Sequence, residues 1–209
     1  MKRVLILLLL VVILTGCNIV RKELNDIDNI ITNVLKQERG LVNTVSVGYK
    51  YYLPIGVTIS NSSSYNEKLH YKGNYYYLYV DAVGYYHKIT QSYTINEEAF
   101  YSKELEYNDK KGYIEINKID DKYFVEVYYN YAKIEAYVRE TKLEKSIINI
   151  LYILDSIIFN DPIIELTIGR DELQLGEEKF ILFKPKREEG TFLDYVKHYD
   201  VYEDEIILE

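Results

Sequence analysis

From Thr44 to Arg139 the chain is a succession of short alternating runs with turn signals between them, and this spacing constrains the fold more than any other feature. Val45, Val47 and Tyr49 alternate with Ser46, Gly48 and Lys50. Further strands are expected over residues 55–60, 74–80, 85–94, 100–107, 112–116 and 122–139. Turn signals lie at Leu53-Pro54, Asn61 to Ser64, Lys72-Gly73-Asn74, Asn108 to Gly112 and Asp120-Asp121. Gaps this short accommodate hairpins but not a crossover helix, so the sheet is expected to be an antiparallel meander.

Within 122–139 the alternation slips phase. Tyr123, Val125, Val127 and Tyr129 occupy odd positions, whereas Ala132, Ile134, Ala136 and Val138 occupy even ones. A straight strand cannot change the face it buries, so a bulge or bend is expected near Asn130. Next, Thr141 and Glu144 have the spacing of a capping box. Leu143, Ile147, Ile150, Leu151, Leu154 and Ile158 then share one helical face. Ile148, Ile153 and Ile157 widen that face, which predicts a long helix covered by the sheet and flanked by another element; Pro162 is expected to end it. An earlier helix is read from Val20, Leu24, Ile27, Ile31 and Val34, running up to Gly40. The mixed charge of its polar face favours packing on the core over a position in a membrane interface. Beyond Ile168 the pattern is mixed, with a short strand expected at 180–183, a loop at 184–190, a short helix at 192–199 and an edge strand at 206–208. The fold class is therefore α+β: an N-terminal helix, an antiparallel β-meander of about six strands, a long helix packed on one sheet face, and a mixed C-terminal segment.

Ahead of these elements, Lys2 and Arg3 precede an unbroken apolar run over residues 4–14. The run is shorter than the about 20 residues a spanning helix needs and has the layout of a secretory leader. Leu14, Thr15, Gly16 and Cys17 follow it. These four residues resemble the lipobox of bacterial lipoproteins, with an apolar residue at −3, small residues at −2 and −1, and the obligatory cysteine at +1. The resemblance covers residues 1–17. It implies that Cys17 receives a diacylglycerol thioether and becomes the N-terminus after cleavage behind Gly16. It further implies a leader over 1–16 and lipid anchorage through acyl chains such as palmitate on the outer side of the cell membrane, and the length of the remainder, with no linker long enough to divide it, makes 17–209 one expected extracytoplasmic domain.

Composition enters through its aromatic residues: 24 Tyr against 6 Phe and no Trp. An AT-rich genome would raise Phe as well, so aromatic rings that carry a hydroxyl are favoured. Tyrosine fits cross-strand ladders, which stabilise a sheet, and it equally fits a contact surface. Tyr75, Tyr77, Tyr79 and Tyr85 are the candidate binding face. The formal net charge of −8 disfavours nucleic acid as a partner.

Signs of chemistry are sparse. His70, His87 and His198 have no ligand spacing, the single cysteine is committed to lipid, and neither a nucleophile elbow nor a phosphate-binding glycine loop occurs. No catalytic residue, metal or cofactor is therefore assigned. Glu97, Glu98, Glu104, Glu106, Glu115, Glu126 and Glu135 lie in or beside strands, and a pair of them could serve glycoside hydrolysis, but sequence alone selects no pair. The expected function is a membrane-anchored, non-catalytic binding or assembly component with an envelope protein as partner. A cell-wall or glycan-active enzyme and a small-ligand receptor are the alternatives.

Overall fold

The computed structural model describes residues 26–37, 41–63 and 65–174. The leader, the lipobox residues Leu14 to Cys17, and Val20, Leu24 and Gly40 lie outside these residues, as do the segments expected at 180–183, 184–190, 192–199 and 206–208. The described chain begins with a helix, α1 (residues 26–35), followed by a small hairpin of β1 (Thr44–Ser46) and β2 (Tyr49–Tyr51). One strand through Val45 and Tyr49 was the expectation; instead the chain reverses at Val47-Gly48, so that Ser46 faces Tyr49. The reason is Gly48, whose φ of +80° suits a turn and not a strand.

The main sheet has seven antiparallel strands: β3 (Thr58–Ser63), β4 (Asn66–Tyr71), β5 (Asn74–Val80), β6 (Tyr101–Tyr107), β7 (Lys110–Ile119), β8 (Lys122–Tyr129) and β9 (Ala132–Arg139). Their order across the sheet is β3-β4-β5-β9-β8-β7-β6. Two meanders, β3 to β5 and β6 to β9, are thus joined side by side through β5 and β9. Lys72-Gly73, Asn108-Asp109 and Asn130-Tyr131 each reverse the chain with both residues at positive φ, the turn whose twist matches paired strands. The phase slip at Asn130 is therefore a complete reversal rather than a bulge or bend. A two-residue loop puts Tyr129 opposite Ala132, which returns odd positions to even positions on the same face.

Three further expectations are corrected. Asn61 to Ser63 of the turn read at Asn61 to Ser64 belong to β3, an exposed edge strand with an irregularity between Ile59 and Asn61, Ser64 lies outside the described residues, and the partner strand β4 was not foreseen. The strand read at 85–94 is replaced by a short helix, α2 (Ala82–His87), which leaves His87 on a helix. Asp81 caps that helix by accepting the Gly84 N–H at 2.8 Å, a local bond that overrides the β preference of Tyr85 and Tyr86. The long helix, α3 (Leu143–Asp155), follows a 3₁₀ turn (Glu140–Lys142), in which Thr141 makes no capping bond. It ends at Asp155, well before Pro162, so Ile157 and Ile158, expected on its apolar face, lie beyond it. A two-residue strand, β10 (Ile158–Phe159), pairs with β2, and Pro162 lies in the first turn of the next helix, α4 (Asp161–Gln174), where its missing N–H costs nothing.

Alternation gives the sheet an inner and an outer face. The inner face carries Leu69, Tyr76, Leu78, Ile134, Ala136, Val125, Val127, Ile114 and Ile116, all buried together with Ile147, Ile150, Leu151 and Leu154 of α3 and Ile27, Ile31, Val34 and Leu35 of α1. Asp28 ties α1 to β6, accepting from the Tyr101 hydroxyl at 2.8 Å and from Lys103 Nζ at 2.5 Å. Asn130 Nδ2 donates to the Leu154 and Ile157 carbonyls at 3.3 and 2.9 Å, so the residue that turns β8 into β9 also satisfies the end of α3. The small sheet packs on the same side: Tyr49 and Tyr51 donate to the two carboxylate oxygens of buried Glu67 on β4. Burial and the Glu67 charge hold both phenols well above their ordinary pKa.

Candidate functional site

The outer face carries the polar side chains, and strand register arranges them in rows. Glu115, Glu126 and Glu135 stand side by side across β7, β8 and β9, continued by Tyr77 on β5 and Lys68 on β4. The adjoining row runs Tyr113, Tyr128, Lys133 and Tyr79. Directly opposed residues in such a sheet have Cβ atoms about 5 Å apart, so three carboxylates in one row repel unless the surroundings compensate.

The compensation is specific for each acid. Lys133 Nζ lies 2.5 Å from Glu135 Oε1, with side-chain exposures of 7% and 0%. Tyr113 donates its hydroxyl to Glu126 at 2.7 Å. Glu115 accepts from the Tyr93 hydroxyl at 2.7 Å and from the side-chain amides of Asn96 and Asn117 at 3.2 and 3.0 Å. The segment before β6 thereby lies over one end of the face, and the Tyr93 ring stacks on Tyr113 with centroids 4.1 Å apart. Burial raises the Glu126 carboxyl above its ordinary pKa. Lys133 and the Tyr113 hydrogen bond pull it down, whereas Glu135 and Glu115 push it further up. Glu126 thus holds a proton more readily than a free carboxyl does. Among the described residues, no group of three or more His, Cys, Asp or Glu is placed to hold a metal ion.

Tyr75, Tyr77 and Tyr79 share this face, as their alternation requires. Tyr75 is 45% exposed. Lys68 Nζ lies 4.8 Å from its ring centre and 5.7 Å from that of Tyr77, within cation–π range of both. The His70 ring is 5.2 Å from Tyr75, and its Nε2 accepts the Gly73 N–H at 3.1 Å. Tyr79 is buried, and burial together with neighbouring Asp81 raises its phenol. Tyr85 is elsewhere: it lies on α2, stacks on Phe159 at 3.8 Å, and donates to Asp161 of α4 at 2.5 Å. Burial and that bond push its phenol up to about 12. The structure therefore brings three of the four candidate tyrosines together and adds Lys68 and His70, which sequence reading missed because β4 itself was missed. The pairing of Lys133 with Glu135 was detectable only as an i, i+2 spacing on a strand.

No helix among the described residues is long and apolar enough to cross a membrane. No curated protein and no solved structure matches the chain. Residues 1–18 match the family model of the prokaryotic membrane lipoprotein lipid attachment site, in a segment that contains Leu14, Thr15, Gly16 and Cys17, and the chain thus carries a lipoprotein signal that anchors it to a membrane through lipid.

Proposed function

We propose that this lipoprotein is a non-catalytic binding or assembly component, held by acylated Cys17 on the outer face of the cytoplasmic membrane as one extracytoplasmic domain over 17–209. It engages another envelope protein through the Tyr75–Tyr77 end of its outer sheet face. The observation that carries this reading is the half-exposed Tyr75 ring, flanked by Lys68 and His70 on a rigid strand pair. Tyrosine beside a cation is a contact surface of low ordering cost, since its ring loses little freedom on binding.

A photo-crosslinking residue introduced at Tyr75 in intact cells tests it. A discrete, reproducible adduct that is absent when the same residue replaces Asn61 supports the reading. Identical adduct patterns at both positions, or none at either, refute it. Separately, Cys17→Ser should abolish acylation and processing; mature-sized protein still in the membrane fraction would contradict that assignment.

The row of Glu115, Glu126 and Glu135 favours a second reading, a glycan-active enzyme in which Glu126 serves as the acid. Glu126→Gln decides it. Loss of muropeptide turnover in cells with folded variant protein would replace the binding reading.

A further inference from the structure

The small sheet turns an apolar row outwards. Tyr49 and Tyr51 point inwards to Glu67, so Lys50 between them points away from the core. Register places Val45 opposite it on one side and Ile158 opposite it on the other. Val45 is 81% exposed and Ile158 50%, and Val47 in the adjoining turn is exposed as well. Branched apolar side chains gathered around a lysine on an exposed sheet face form the kind of surface that a membrane or a partner covers.

We infer that this row is a bilayer-docking surface that rests on the membrane to which the lipid anchor holds the protein, a conclusion that depends on acylation of Cys17. The chain geometry carries it. From Cys17 to Asp26, the first described residue of α1, the chain can reach at most about 30 Å. α1 and the small sheet both pack on the inner side of the main sheet, Asp28 of α1 touching β6 and the small sheet lying over β4. Those strands are separated by about 24 Å, from five strand spacings of about 4.8 Å. That bound keeps the body of the protein close to the bilayer and is no shorter than the separation, so an orientation exists that brings anchor and apolar row to the same bilayer. Lys50 suits this position, since its stem can lie among acyl chains while its ammonium reaches the phosphate level. With a net charge of −8 the protein gains nothing from anionic lipid at long range, so docking is apolar and persists in high salt. The Tyr75–Tyr77 end, on the opposite side of the main sheet, then faces away from the membrane.

The test uses the full lipoprotein in phosphatidylethanolamine–phosphatidylglycerol vesicles, with an environment-sensitive fluorophore on Val45→Cys or, as control, on Asn61→Cys. The thioether at Cys17 leaves the introduced thiol as the reactive one. Flotation first reports whether the anchor holds. In floated protein, blue-shifted emission at position 45 and its loss with brominated acyl chains, with neither at position 61, supports docking. Emission at 45 that matches 61 overturns it. Blue-shifted emission at 45 that brominated lipid leaves unchanged also overturns it, and would show a protein covering the row. Protein that fails to float refutes acylation itself and removes the proposal with it.

Discussion

Replacing Lys133 with Met puts the polar outer face to a quantitative test. The ammonium lies 2.5 Å from Glu135 Oε1, and both side chains are almost removed from water. Met retains most of the stem and drops the charge. Removing one partner of a buried pair costs about 3–5 kcal/mol, because the remaining charge keeps its desolvation penalty. With a urea dependence of about 2 kcal/mol per molar, a loss near 4 kcal/mol lowers the unfolding midpoint by about 2 M. Neutralising both groups, Lys133→Met with Glu135→Gln, should restore most of that loss, since no buried charge then remains in the pair. Equilibrium urea unfolding of the two variants and the parent measures this. A double variant no more stable than the single one would show that shape and not charge had been lost.

The same variant carries a pH signature. Glu126 has its pKa raised by burial and by Glu135 and Glu115, and Lys133 opposes that rise. A carboxyl whose folded pKa exceeds its unfolded one adds stability below the unfolded value and loses it as pH climbs through the folded value. Lys133→Met removes a downward influence on Glu126, so the deficit of the variant should be larger near neutrality than in mild acid. A deficit that grows on acidification would refute the electrostatic account.

Other consequences are simpler to state. Glu67→Leu strips two buried phenols, Tyr49 and Tyr51, of their shared acceptor and should cost about 3 kcal/mol or more, with Glu67→Gln costing less; thermal unfolding ranks them. Asn130→Ala loses both a residue tolerant of φ +54° and the two bonds to the end of α3, for about 2 kcal/mol, whereas Asn130→Gly keeps the turn and loses only the bonds. Gly112→Ala would place a Cβ 1.9 Å from the Tyr128 carbonyl oxygen, so β7 and β8 would have to separate. A loss of about 2–4 kcal/mol is expected in urea unfolding, and a neutral result would contradict the close approach.

The parts of the fold that could be read from the chain are those where one local rule acts unopposed. Asn74–Val80 emerges at its observed bounds because its alternation is flanked by Lys72-Gly73 and followed by Asp81. The helix over Leu143–Asp155 emerges from its wide apolar face. Failures occur where two rules compete. Tyr85 and Tyr86 favour strand, yet Asp81 supplies a helix cap. Asn66–Tyr71 has two charged residues, Glu67 and Lys68, within six, which masks a strand whose Glu67 is buried and satisfied by tyrosines far away in sequence. The outer-face acids were visible as residue types, but their alignment is a property of register, and register follows from hairpin lengths that sequence showed only in part. The slip at Asn130 illustrates this: the position was right, and the choice between bend and reversal depended on the whole sheet.

Register also explains the tyrosine excess, and it narrows what a binding face can contain. Phenol after phenol has a task inside the fold that phenylalanine could not perform: Tyr49 and Tyr51 on Glu67, Tyr76 on Ser146, Tyr101 on Asp28, Tyr113 on Glu126, Tyr129 on the Tyr107 carbonyl, and Tyr152 on Gln37. These rings fill core or cover sheet while their hydroxyls satisfy polar acceptors, and where the acceptor is buried, as Glu67 is, a purely apolar ring would leave it with its desolvation cost. An abundance of tyrosine is thus not in itself evidence for a ligand. What points to one is the departure from this pattern. Tyr75 stands half in solvent with a lysine over its ring, and the case for recognition rests on that ring and its neighbours, not on the count from which the question arose.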